Sequence, residues 1–136
     1  MAQHWILKTE PSTYGWSDLV RDRRTRWDGV SNAVALKHLR SMHDGDDALV
    51  YHTGDEKSIV GLARVASEPY PDPAADDPRL VAVDIEAVRP LARQVSLAEI
   101  KADPAFAELA LVRLSRLSVI PVSEMHWKRL MSMAGK

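Results

Sequence analysis

The chain has 136 residues, 46% of them hydrophobic and 27% charged, the balance of a folded domain rather than a disordered segment. A formal net charge of −1 excludes a protein that coats nucleic acid through bulk electrostatics, because phosphate neutralisation needs an excess of clustered Lys and Arg. With no cysteine, the chain has no disulfide framework, thiol nucleophile or thiolate metal site.

This length predicts one domain over residues 1–136, large enough to bury a core without staples. The start, Met1 to Trp5, has neither a basic region nor a long apolar run, so no signal peptide is expected. No later apolar run approaches membrane-spanning length. A cytoplasmic location with no membrane partner follows as the expectation.

In chain order, His4 to Thr9 alternates and carries Trp5, Ile6 and Leu7, which predicts an opening strand. Pro11 ends it, since proline lacks the backbone donor and forces Glu10 into extended geometry. Tyr14, Gly15 and Trp16 read as a loop, and Ser17 as the cap of a short helix. The charged run from Arg21 to Arg26 leads into Trp27-Asp28-Gly29-Val30-Ser31-Asn32, read as a loop. Gly29 allows a tight turn there, and the Asn32 side-chain oxygen is placed to cap a helix. Ala35, Leu36, Leu39 and Met42 then follow helical spacing with one apolar face.

Asp47 to Thr53 and Ser58 to Ala66 read as two strands of a hairpin around Gly54 to Lys57. Gly61 within the second predicts a bulge or the close approach of another backbone. Pro69 to Pro78 is a broken, polar loop, and Leu80 to Val88 alternates cleanly as a strand closed by Arg89-Pro90. Ser96 to Glu99 is a capping box, and Asp103-Pro104 a cap with a first-turn proline. Ser115 to Val122 reads as a last strand, and Ser123 as the cap of a final helix carrying Trp127, Leu130 and Met131. Strands outnumber helices without regular alternation, which predicts an α+β fold with a mixed, barrel-like sheet and peripheral short helices.

Catalytic patterns are scarce. The six glycines form no phosphate-cradling cluster, and no serine lies in a nucleophile elbow. His38 and His43 are five apart, on different helical faces, so a helical zinc pair is not expected. His52 has no partner in sequence to orient it as a base. Lys8 and Glu10 share a strand face, where they point into one pocket or form a surface ion pair of little worth; the second reading is favoured. The expectation is a protein that is not an enzyme, with no metal and no cofactor.

The tryptophans and tyrosines combine an apolar body with a polar handle. Trp5 and Trp127 fall on apolar faces and read as core. Trp27 stands beside Asp28, Gly29 and Asn32, and composition leaves it open as core or as a stacking platform, with core the commoner fate.

Three stretches carry a resemblance: Trp5 to Pro11, then Tyr14 with Asp18-Leu19, then Thr25 to Asn32. It continues through Gly45-Asp46, Tyr51-His52-Thr53, Ile59 to Ala63, Tyr70 to Pro73, Arg116 to Val122 and Trp127. On these the chain resembles the EVE-domain proteins, a branch of the PUA-like fold related to the YTH readers. The resemblance implies a PUA-like mixed β-barrel that binds DNA or RNA and accommodates a flipped, modified base, such as methylated or hydroxymethylated cytosine. It implies Trp27 as the stacking platform, Asn32, Thr53, Ser31 and Val30 around the base, and Tyr51 and His52 as a wall. Lys8, Arg26 and Lys37 would meet phosphate at the rim.

Many relatives carry an arginine at the position of Ser31 and an aromatic at that of Ala33, so modest phosphate affinity is expected here. Other relatives carry fused effector domains, and this length implies a separate effector protein instead. Two further readings compete: a nucleobase or nucleoside sensor or hydrolase using His52 or Glu10, and an adaptor for RNA-processing factors.

Overall fold

The computed structural model describes residues 3–135. Trp5, Ile6 and Leu7 are buried at consecutive positions of β1 (His4–Thr9), so both faces of this strand are covered and it lies inside the sheet. The helix α1 (Trp16–Asp22), the strand β2 (Arg24–Trp27) and the helix α2 (Ala33–Arg40) follow. A hairpin comes next, of β3 (Asp47–His52) and β4 (Ser58–Val65), then the short β5 (Tyr70–Pro71) and the long β6 (Val81–Ser96). The chain closes with α3 (Leu97–Ala102), a 3₁₀ turn at Pro104–Phe106, α4 (Ala110–Arg113), β7 (Val119–Val122) and α5 (Glu124–Met133).

Among the described residues the strands form one mixed seven-stranded sheet in the order β2-β6-β4-β3-β1-β7, with β5 on β6. β1 runs parallel to β3 and antiparallel to β7. α2 packs against both β7 and β6, so a helix spans between the two sides of the sheet where strand pairing does not. This is the mixed sheet with short peripheral helices that the sequence predicts. No helix of the described residues is long and apolar enough to cross a membrane.

Local signals fix several ends. Asn32 Oδ1 accepts from the N–H groups of Val34 and Ala35, both at 3.0 Å, and starts α2. Gly29 has φ +74° and open space where a Cβ would stand, so glycine serves the turn rather than a contact. Ser96 and Glu99 close the predicted capping box, Asp103 caps the 3₁₀ turn, and Ser123 caps α5.

Other expectations are corrected. α1 starts at Trp16 with Gly15 as its cap residue, so Ser17 is inside the helix; Asp18 closes the turn by accepting from Gly15 N–H at 2.7 Å. Arg89-Pro90 does not end the strand, because β6 runs on to Ser96. Pro90 is tolerated beside Gly61 where the β4–β6 register shifts, since at a bulge the ladder has no use for its missing donor. The last strand begins only at Val119, because residues 114–117 form a turn closed by Leu117 N–H donating to Leu114 O at 3.0 Å.

Gly61 also serves a close approach, by a side chain rather than a backbone. A Cβ there would stand 2.5 Å from three carbons of the Trp16 indole. Trp16 cannot retreat freely, because its N–H donates to His52 Nε2 at 2.9 Å and ties the start of α1 to β3. Gly61→Ala is therefore expected to cost about 1–3 kcal/mol through overpacking. Urea denaturation measures this, and an unchanged midpoint would mean that the indole has room to move.

Candidate functional site

The parallel crossover from β1 to β3 carries most of a cavity of about 760 Å³, within the roughly 300–1,000 Å³ of small-ligand sites. The end of β1 supplies Lys8 and Thr9, and the loop after it supplies Glu10, Thr13 and Tyr14. Thr25, Arg26 and Trp27 come from β2, and Asp28 to Asn32 from the turn that leads into α2. Ser118, just before β7, completes the lining.

Trp27 is the last residue of a strand, not part of a loop. It pairs with Val83 of β6, and in the run Arg24-Thr25-Arg26-Trp27 the arginines are exposed while Thr25 and Trp27 are half-buried. That period of two turns Thr25 and Trp27 to one face. The indole packs against the core and also lines the cavity.

The charges balance in kind. Lys8 and Arg26 face Glu10 and Asp28 around the same space. Lys8 and Glu10 thus share a pocket, against the surface-pair reading, and each has a partner of its own. Lys8 Nζ donates to Ser115 O at 2.7 Å, and burial lowers its pKa. Ser12 donates to Glu10 Oε2 from Oγ at 2.6 Å and from N–H at 2.7 Å, which lowers the carboxyl pKa. Arg26 Nε donates to Asp28 Oδ2 at 2.9 Å in an exposed pair worth little by itself. Tyr14 donates from its hydroxyl to Asp22 at 2.8 Å, and burial pushes its pKa up.

What remains for a ligand follows from these commitments. Asn32 has its oxygen engaged as the helix cap, so its amide N–H groups are the part left to donate. Arg26 takes one Asp28 oxygen and Ser12 takes one Glu10 oxygen, so the other oxygen of each carboxylate is left to accept. Ser31, Thr13, Thr25 and Ser118 add hydroxyls of either polarity. The site offers an aromatic face, two acceptor-only groups and a few adaptable donors.

Of the residues predicted for the site, the cavity brings together Lys8, Arg26, Trp27, Val30, Ser31 and Asn32. Tyr51, His52, Thr53 and Lys37 do not line it. Tyr51 is 3% exposed, within the core, with the Lys8 ammonium 5.8 Å from its ring centre. Thr53 stands behind Thr9, donating to its carbonyl from N–H at 2.9 Å. Lys37 is exposed on α2.

His52 does have a partner to orient it. Glu56 Oε2 lies 3.1 Å from Nδ1, while Nε2 accepts from Trp16 N–H. With both ring nitrogens engaged in holding α1 to the hairpin, the acid–base role weighed for it has no free atom. Sequence reasoning missed Thr13, Thr25 and Ser118; only Thr25 had a signal, its alternation with Trp27.

A family model described as EVE domain matches residues 3–133. Human thymocyte nuclear protein 1 is 28% identical over an alignment covering 100% of this chain and 76% of that protein. The NMR structure of Rpa0253 from Rhodopseudomonas palustris is 41% identical, with a TM-score of 0.93 over 98% of this chain and 94% of that one. The crystal structure of human THYN1 protein in complex with 5-methylcytosine containing DNA is 29% identical, with a TM-score of 0.91 over 99% of each chain. The fold shared with it is the PUA-like one.

Proposed function

This chain belongs to the EVE domain family, and from that premise we propose that it is a non-catalytic reader that takes a flipped, modified cytosine of DNA into the cavity beside Trp27. The observation that carries this reading is the pairing of one aromatic face with two half-free carboxylates in a single cavity. A base extruded from the stack needs a surface to lie on and polar groups at its edge. Stacking on Trp27 supplies the first.

The carboxylates bear on which base. Cytosine offers an exocyclic amino group where thymine offers a carbonyl, and Asp or Glu accepts from that amine. 5-Methylcytosine and thymine carry the same methyl group, so they are separated at the amino edge and at the ring nitrogen beside it, where an acceptor for the amine favours cytosine. Asp28 Oδ1 and Glu10 Oε1 are the acceptors we assign. The Asn32 amide donates to the base carbonyl or ring nitrogen, and Ser31 and Val30 flank it. The complex of human THYN1 with 5-methylcytosine containing DNA supports the same class of ligand. The balanced lining supports modest phosphate affinity, with selectivity resting on the base.

The test uses one oligonucleotide sequence with cytosine, 5-methylcytosine, 5-hydroxymethylcytosine or thymine at a single position, followed by tryptophan fluorescence. A modified cytosine is expected to bind tightest, and thymine more weakly by roughly tenfold or more, the worth of one good edge contact. Asp28→Asn replaces a pure acceptor with a group that also donates and is expected to narrow the cytosine–thymine gap. Equal binding to all four oligonucleotides would sink the reading.

A further inference from the structure

A second cavity, of about 390 Å³, opens between the start of α2 and residues 113–117. Asn32 lines both cavities. Lys8, which lines the first, donates to the carbonyl of Ser115, which lines the second. The two spaces therefore form one surface, divided by the Asn32 side chain and the Lys8–Ser115 bond.

Their chemistry differs. Val34 and Leu114 line the second cavity and are 50% and 51% exposed, two of the five large hydrophobic side chains that the described residues leave so open. Together these side chains give the space an apolar floor. The cations there are Arg113 and Arg116, and no carboxylate lines the space. Arg113 is paired with Glu108 at 3.0 Å, whereas Arg116 has no ion pair among the described residues. An apolar floor with an uncompensated guanidinium thus adjoins a cavity whose own charges cancel.

We propose that this second cavity is a subsite for the nucleotide next to the one whose base enters the first. The neighbouring base lies against Val34 and Leu114, and the phosphate that joins the two nucleotides passes Asn32 to meet Arg116. The proposal rests on the reading of the first cavity as a base site. It explains how a site of balanced charge holds a polyanion: the phosphate contact lies one nucleotide away from the base contact. A base has an apolar face whatever its identity, so this subsite tolerates any neighbour, and a guanidinium meets phosphate oxygens through two parallel bonds.

The experiment compares 5-methyl-2′-deoxycytidine with the dinucleoside monophosphates that carry 5-methylcytosine at the 5′ or the 3′ position. Trp27 quenching reads the first cavity in every case. One of the two dinucleotides is expected to bind about tenfold tighter than the nucleoside. Arg116→Glu and Leu114→Asp, both at exposed positions, are expected to remove that gain and leave nucleoside binding unchanged. Two dinucleotides no tighter than the nucleoside would overturn the subsite while leaving the base site standing, and would return the patch to a protein partner. A gain that survives both substitutions also overturns it. Failure of the nucleoside and both dinucleotides to bind overturns the base site, and the subsite with it.

Discussion

Trp27→Ala is expected to weaken binding of a 5-methylcytosine oligonucleotide by about 5- to 150-fold, the equivalent of the roughly 1–3 kcal/mol that one base–aromatic stack contributes. The fold should survive, because Trp27 ends a strand whose pairing to Val83 runs through the backbone, and its ring is half-buried rather than central. Trp27→Phe keeps a ring of smaller area, so its affinity should fall between the two. Fluorescence anisotropy of a labelled oligonucleotide gives the affinities, and far-UV circular dichroism gives the fold. Affinity within twofold of the parent would remove Trp27 as the platform. Loss of the fold would return it to the core.

Asp46→Ala should bring the largest loss of stability, about 3–5 kcal/mol. Asp46 is 2% exposed, and its carboxylate accepts from Gln3 N–H at 2.9 Å, Trp5 Nε1 at 3.0 Å and His43 N–H at 2.9 Å. One buried anion thus ties the start of β1, the buried indole and the turn after α2. Alanine leaves three donors without acceptors, each worth about 1–3 kcal/mol when stranded, with water entry relieving the outermost. Asp46→Asn retains one acceptor oxygen and should lie between. Equilibrium urea unfolding measures both, and a loss below about 1 kcal/mol for alanine would show that the three donors find other partners.

What was legible in the sequence was local. The cap at Asn32, the box at Ser96 and Glu99, the cap at Ser123 and the opening strand each rest on side chains that meet neighbours within a few positions. What was not legible depended on pairing at a distance. Arg24 and Arg26 made β2 look like a charged run, because the strand shows its cations outward and has only Thr25 and Trp27 to mark the inward face. Pro90 looked like a terminator because the bulge that accommodates it involves Gly61, nearly thirty positions earlier.

The same division holds for the site. Trp27 to Asn32 is one continuous stretch and was found as one. Thr13, Thr25 and Ser118 are small hydroxyl residues brought in from three separate stretches, and nothing in their side chains marks them as lining. Tyr51 and His52 are buried in β3, inside the sheet, and Thr53 just after it donates to the Thr9 carbonyl, so the resemblance alone brings these three to the base.

The parallel pairing of β1 with β3 obliges the chain to make a long crossover, residues 10–46, and that crossover holds most of the cavity lining. Ligand preference and the sheet interior are therefore written in different stretches. Gly29 is held to glycine by its φ of +74°, whereas Asp28 and Ser31 are exposed, so exchanging these two spares the packed strands. Substitutions there and in the interior of β3 or β4 share no partners and should add in free energy as independent sites do. The crossover thus carries an exposed cavity turn on a body that is itself part of the core, through Leu19, Leu36 and Leu39. Asn32 joins the two roles in one side chain, since it is both a wall of the cavity and the first bond of the helix.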